Sequence, residues 1–293
     1  MNGALIIDKP AGMTSHDVVS RVRRITGERR IGHIGTLDPF ATGVLVLLLG
    51  KATRLARFFD HATKSYEAVM RVGFSTDTYD ATGAPSGADR GADFRPADLH
   101  ALLPEFQGTI QQLPPAYSAK KIAGVAAYKK ARKGQAVELA PVTVTISELQ
   151  VLQVDGPLVK FSVTVSSGTY IRSLAHDLGS RLSLGAHLQE LRRTRLGAFT
   201  IAEALTVKQL EDPAQLAGAV RPMEALLPEI LPHRLTTEEL SSVLHGRSVA
   251  AEQAGEWLRL LTPLGELAAM ARLESPGWYH PEVVLYEAVP EGS

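Results

Sequence analysis

Six consecutive apolar residues, VLVLLL at positions 44–49, offer no polar face to water, so the element they form must be core. Periodicity leaves a buried strand and a short helix both open. Immediately upstream lies GHIGTLDPFATG, in which Asp38 is followed by Pro39, and a residue before proline is biased towards extended geometry. An aspartate delivered to the edge of the core in this way has two readings. It is either a turn-capping residue or a nucleophile or base held rigidly at the floor of a cleft.

A chain of 293 residues is longer than one ordinary core fills and points to one large domain plus a small one, or to two domains. An apolar fraction of 45% with only 21% charged residues is that of a globular protein rather than a disordered or fibrous one. The absence of cysteine excludes disulfides, iron–sulfur clusters and thiolate zinc sites, and fits a reducing compartment. The 9 histidines form neither H-E-x-x-H nor H-x-H, so no metal site is expected. At the N-terminus the apolar stretch ALII gives way at once to Asp8, Lys9 and Pro10, unlike a signal peptide. The longest apolar run is far below the roughly 20 residues a bilayer requires. A cytoplasmic protein is the expectation.

Formal net charge is zero, but the charges are divided. Residues 223–293 hold eleven Glu, four Arg and neither Asp nor Lys, which leaves residues 1–222 with the basic excess. Three clusters carry it: RVRRITGERR, AKKIAGVAAYKKARKG with Tyr128 inside it, and LRRTRLG. Each alone reads as a solvated face; together they suit a phosphate-rich partner.

Along the chain, GALIIDKPAGMTS reads as a strand ending in a turn, with Ser15 capping a helix that stops at Gly27. KSYEAVMRVGF alternates as a strand, a polar loop follows, and PADLHALLPEF is a helix. Three β-rich segments lead to SSGTY and a helix carrying Arg172 that ends at Gly179; Leu191 is then placed on an amphipathic helix. Helices and mainly antiparallel strands mix without βαβ regularity, which predicts an α+β fold. Pro222, Pro228 and Pro232 coincide with the change of charge sign, so the boundary is set between 222 and 223. Beyond it, a short helix capped by Thr236 or Thr237 and brief β segments suit a small β-barrel.

The chain resembles the TruB-type tRNA pseudouridine synthases. The resemblance rests on GHIGTLDPFATGVLVLLLGKATRL, IIDKPAGMTSHDVV, KSYEAVMRVGFSTDTYDATG, PPAYSAKKIAGVAAYKKARKG, SSGTYIRSLAHDLG and GAHLQELRRTRLGAF, which occur in the family's order over about residues 3–200. It implies a pseudouridine synthase catalytic domain over 1–222 with an RNA-contacting insertion at about 112–140, and a PUA-like domain over 223–293. It also implies isomerisation of uridine 55 in the TΨC arm of tRNA, without cofactor, guide RNA or obligate protein partner, by a monomer of the stand-alone bacterial type. By their places in the motifs, Asp38 works at the sugar, Arg172 keeps it ionised, and Tyr66 stacks on the uracil and helps remove the C5 proton. His33 fills the gap left by the flipped base, and Lys9 and Leu191 line the pocket or pack near that base. Asp80 matches a further acid that holds the family's loop and is not counted in the site. The acidic C-terminal segment departs from what an RNA-gripping module needs, so affinity is expected in the catalytic half.

Two readings from other classes compete. A non-catalytic tRNA-binding or folding protein could use the same surface, but it would not need a carboxylate facing a polyanion. A carboxylate-based nucleosidase shares the glycosidic-bond logic, but it would need no basic clusters and no tyrosine–histidine pair for flipping.

Overall fold

The computed structural model describes residues 1–117, 121–122, 125–126 and 139–287. The chain runs β1 (Gly3–Lys9), α1 (Ser15–Thr26), β2 (Ile31–Ile34), β3 (Thr42–Leu49), a 3-10 helix (Gly50–Phe59), β4 (Lys64–Val72), α2 (Pro96–Phe106) and β5 (Gly108–Gln112). After the paired two-residue strands β6 (Lys121–Ile122) and β7 (Val125–Ala126) come β8 (Val142–Asp155), β9 (Leu158–Val165) and α3 (Ile171–Arg181). β10 (Ala186–Leu196), β11 (Phe199–Thr200), β12 (Leu205–Thr206) and α4 (Pro213–Ala219) follow. One sheet takes the order β12-β1-β3-β10-β4-β9-β8-β5, with β2 on β3 and β11 on β10. Its pairs are antiparallel except β1 with β12 and β3 with β10.

The apolar run is therefore a strand, and its place in the sheet explains its composition. From β1 and β3, Leu5, Ile7, Leu45, Leu47 and Leu49 enter one core with Val18, Val19 and Val22 of α1. The alternate residues Ala4, Ile6, Val44, Val46 and Leu48 enter a second core with Leu55 and Phe59 of the 3-10 helix. A strand covered on both faces has no solvent side to mark with polar residues.

Two local expectations change. Thr14, not Ser15, caps α1: Asp17 N–H donates to Thr14 Oγ1 at 3.1 Å and Thr14 N–H returns to Asp17 Oδ2 at 2.8 Å. Ser15 is buried and bonded elsewhere. The segment with Leu191 is not a helix but β10, held between β3 and β4 in the middle of the sheet. Register shifts between Leu188 and Glu190 and between Arg193 and Arg195 break its two-residue alternation, so the strand pattern is hidden in the sequence. β3 meets β10 closely enough that a Cβ on Gly43, whose φ is +98°, would stand 2.1 Å from Arg193 O.

The remaining chain forms β13 (Pro232–Arg234), α5 (Thr237–Leu244), β14 (Val249–Ala250), β15 (Trp257–Leu261), β16 (Leu267–Ser275) and β17 (Trp278–Val284), with sheet order β13-β15-β16-β17-β14. Thr236 caps α5 by a reciprocal bond pair with Glu239. One face of this sheet closes on Leu235, Val243, Leu258 and Tyr279. Leu267, Met270 and Val283 instead join Leu226 and Leu227 in the core behind β1 and β3, so the two sheets share apolar packing. Arg57 lies at the seam, 5.1 Å from the Trp257 ring and paired with Glu282 at 2.9 Å. Among the described residues, no helix is long and apolar enough to cross a membrane.

Candidate active site

Asp38 sits on the connection between the antiparallel strands β2 and β3, and that connection is tied down at several points. Leu37 and Ala41 are buried in the core on either side of it. Leu37 N–H donates to Ser15 Oγ at 3.0 Å, Gly12 N–H to Pro39 O at 2.8 Å and Ala41 N–H to Asp38 O at 3.1 Å. Lys9 is fully buried at the end of β1, and its ammonium donates to Pro10 O (2.9 Å), Met13 O (2.6 Å) and Pro39 O (3.2 Å). Lys9 thus clamps the turn after β1 to the Asp38 loop from behind. It is not among the residues that line the cleft, and its donors are spent on carbonyls. Burial lowers its pKa to about 8, while Asp38 opposes the shift.

Arg172, in the first turn of α3, brings the carboxylates together. Its Nε is 3.0 Å from Asp38 Oδ2 and its Nη1 is 3.4 Å from Asp80 Oδ2. Nη1 also donates to Thr78 O at 3.1 Å, and Nη2 to Tyr117 O at 2.9 Å. The start of the helix is fixed in turn by Gln112, whose side chain bonds Tyr170 N–H and Tyr170 O at 2.8 and 3.0 Å. Asp80 is buried and receives Thr82 N–H at 3.0 Å and Thr78 Oγ1 at 2.8 Å, along with the Thr82 hydroxyl. The guanidinium fork is therefore held by groups from three separate segments, the geometry that suits arginine rather than lysine.

Asp38, Tyr66, Arg172 and Leu191 all line one cleft of about 230 Å³, together with Lys64 and the turn at 167–170. Tyr66 comes from β4 and Leu191 from β10, neighbouring strands of the sheet. The Asp38 side chain keeps 39% of its surface open on this side, while Arg172 behind it keeps 6%. Burial pushes the Asp38 pKa above the ordinary carboxylate range. Arg172 pulls it down, the Asp80 charge pushes it up, and Lys9 pulls it down. His33 is not among the lining residues: it stands on β2 with Nε2 3.2 Å from the hydroxyl of Thr36, which does line the cleft. Burial lowers the His33 pKa, with the charges of His16 and Arg193 adding to the effect, so its ring is neutral near pH 7.

The cluster LRRTRLG does not present free cations. Arg193 is fully buried, with Nε donating to Val44 O at 2.7 Å and Nη2 to Gly35 O at 2.6 Å. Arg192 pairs with Asp8 at 2.8 Å, and Arg195 Nε donates to Ser65 Oγ at 3.2 Å. A buried arginine on a bulged strand looks like part of a basic surface in sequence, so nothing there marks Arg193 as internal. The cluster around Tyr128, most of the insertion, falls outside the described residues.

Residues 23–171 match the family model described as TruB family pseudouridylate synthase, N-terminal domain, and residues 172–228 match the tRNA pseudouridylate synthase B C-terminal domain. The chain belongs to the TruB family. Its relatives include the tRNA pseudouridine synthase B of Solibacter usitatus, 43% identical over 97% of this chain and 100% of that one. The tRNA pseudouridine synthase B of Thermobifida fusca is 43% identical over 97% and 98%. Among solved structures, a chain of a Cbf5–Nop10–Gar1 complex superposes with a TM-score of 0.75 at 29% identity, covering 97% of this chain and 85% of that one. A chain of an H/ACA RNP bound to a substrate RNA containing 2′-deoxyuridine gives 0.75 at 28%, with coverage of 97% and 85%. This TruB-family chain is an isomerase with the α+β pseudouridine synthase fold, followed by a PUA-like sheet.

Proposed function

We propose that this chain converts uridine 55 in the TΨC arm of tRNA to pseudouridine, acting without a guide RNA, protein partner or cofactor. The observation that carries the reading is the Asp38–Arg172–Asp80 array at the floor of a cleft walled by Tyr66 and Leu191. The similarity to bacterial enzymes named tRNA pseudouridine synthase B over nearly their full length supports the substrate class. Residues 1–222 would form the catalytic domain and residues 223–293 the PUA-like one.

In the reaction the N1–C1′ glycosidic bond breaks, the uracil turns, and a C5–C1′ bond forms. C5 loses a proton and N1 gains one, so no oxidant, reductant or further reactant is needed. Asp38 is the carboxylate at the sugar. Held at 3.0 Å, Arg172 keeps it ionised against the cost of its surroundings, and a fixed donor aimed at a reacting group needs no reorganisation when charge moves. Tyr66 offers a ring to stack on the uracil and a phenol oxygen to help remove the C5 proton. Leu191 packs beside it. The target base must leave its stack to reach this floor, and the neutral His33 ring on β2 is the group that fills the vacated position. Lys9 acts through the loop, as a positioning residue.

The experiment is to incubate the protein with an unmodified tRNA transcript and map pseudouridine by carbodiimide-dependent stops in reverse transcription. A single new stop reporting position 55 is expected. Stops at other positions, or none, would overturn the assignment of substrate and site.

A further inference from the structure

The cleft contains a cation that the chemistry above leaves unused. Lys64 opens β4, two residues before Tyr66 on the same strand, and lines the cleft with Asp38 and Ser167. Its ammonium donates to Ala62 O at 3.2 Å and to Ser167 Oγ at 3.1 Å. Among the described residues, no carboxylate forms an ion pair with it. Lys51 and Lys160, by contrast, pair with Glu287 and Glu67 at 3.2 and 3.0 Å.

A second cation without a carboxylate stands directly behind. Arg193 Nη1, deeply buried, makes no hydrogen bond of good geometry, and its electrostatic partner is the Tyr66 hydroxyl rather than an acid. Gly35 lets the two cations share this wall. A Cβ there would lie 3.2 Å from Arg193 Nη1 and 3.3 Å from Lys64 Cε, so any larger residue would wedge between them. Burial, and then the like charge of Arg193, lower the Lys64 pKa to about 8, with Asp60 opposing. Desolvated positive charge without a protein counter-charge is costly. Here it faces the space where a polyanion must enter.

We propose that Lys64, with the Ser167 hydroxyl beside it, binds the backbone phosphate of the nucleotide seated over Asp38. The proposal rests on the reading of this cleft as the uridine pocket. It makes Lys64 a substrate-positioning residue: the ammonium exchanges its Ala62 carbonyl for a phosphate oxygen, and Ser167 Oγ donates to the same group. The rival is purely structural, with Lys64 pinning the 167–170 turn to β4.

The test uses a synthetic hairpin of the tRNA arm carrying the target uridine, in an all-phosphate form and in forms with one neutral methylphosphonate at each position flanking that uridine. For K64Q the expected result is a KM raised tenfold or more with kcat within threefold of the wild type. The slope of log KM against log salt should fall by about 0.7–0.9, the signature of one lost phosphate contact. K64R restores KM to within threefold, and S167A shifts KM in the same direction by about threefold. One methylphosphonate should cost the wild type about as much as K64Q does, and should cost K64Q little more. If K64Q instead lowers kcat at unchanged KM and salt slope, or if every methylphosphonate penalty simply adds to that of K64Q, Lys64 holds the turn and the proposal fails. Absence of wild-type turnover would count against the uridine-pocket reading; hairpin affinity and its salt slope, read without turnover, still decide the phosphate contact.

Discussion

Asp38 is the residue on which the chemistry turns, and its environment sets a pH dependence with a definite sign. Burial raises its pKa, so the ionised form is lost as pH falls through a value above the usual 3.8. Activity is therefore expected to fall on the acid side at a higher pH than a solvated aspartate would give. Arg172→Lys keeps a cation but loses the fork that spans Asp38, Asp80 and two carbonyls. The acid limb should move to still higher pH and the maximal kcat should drop on the order of a hundredfold; a pH–rate profile of both proteins reads the two effects. An unmoved limb would mean that Arg172 does not set the charge state of Asp38. Asp38, Tyr66 and Arg172 were singled out through the resemblance to the TruB-type synthases; the residues around them left a turn-capping aspartate, a core tyrosine and a surface arginine open. Lys64 and Arg193 were not singled out, and Lys9 was named without its clamping role: a run of letters shows a cation but not whether its donors end on water, a carbonyl or a ligand.

At the scale of elements, the position of Arg172 depends on how α3 lies on β10. A Cβ on Gly179 would come within 2.3 Å of Ala186 N, so the helix approaches the strand at a point where only glycine fits. Gly179→Ala has to push α3 outward and displace Arg172, two turns earlier. It should cost about 1–3 kcal/mol as overpacking and lower Tm by about 2–10 °C, with a fall in kcat beyond what stability explains. Gly218→Ala in α4 meets open space and should leave Tm level or raise it slightly. Melting curves of the two variants test the contact, and equal Tm values would refute it. Sequence pattern recovered β1, β4, α1, α2 and α3 because their periodicity is undisturbed. It missed β10, where two bulges reset the alternation and tertiary pairing in mid-sheet decides the conformation.

The whole molecule is held by a core that both sheets build. Ala4, Ile6, Val46 and Leu48 behind the first sheet pack with Leu226, Leu227, Met270 and Val283. A chain ending at residue 222 would leave that surface open, and exposed apolar patches of this kind drive association. The full chain is expected to melt in one transition, whereas the 1–222 fragment should aggregate or elute as large species in size-exclusion chromatography. A monomeric, cooperatively melting fragment would show that the C-terminal sheet is dispensable for the fold. The three prolines and the change of charge sign are what set the expected boundary between 222 and 223. The shared core was hidden, since its members are ordinary leucines and valines scattered over some 280 residues of sequence.

The most direct test of the central claim is tritium release from C5-labelled uridine in an unmodified tRNA transcript, with the wild type and Asp38→Asn side by side. The account predicts one equivalent released per tRNA by the wild type and none by the variant, with the variant's Kd for tRNA within a few-fold of the wild type's. Release by Asp38→Asn at the wild-type rate would remove Asp38 from the chemistry, and tight binding without release by either protein would leave a tRNA-binding protein in place of an isomerase.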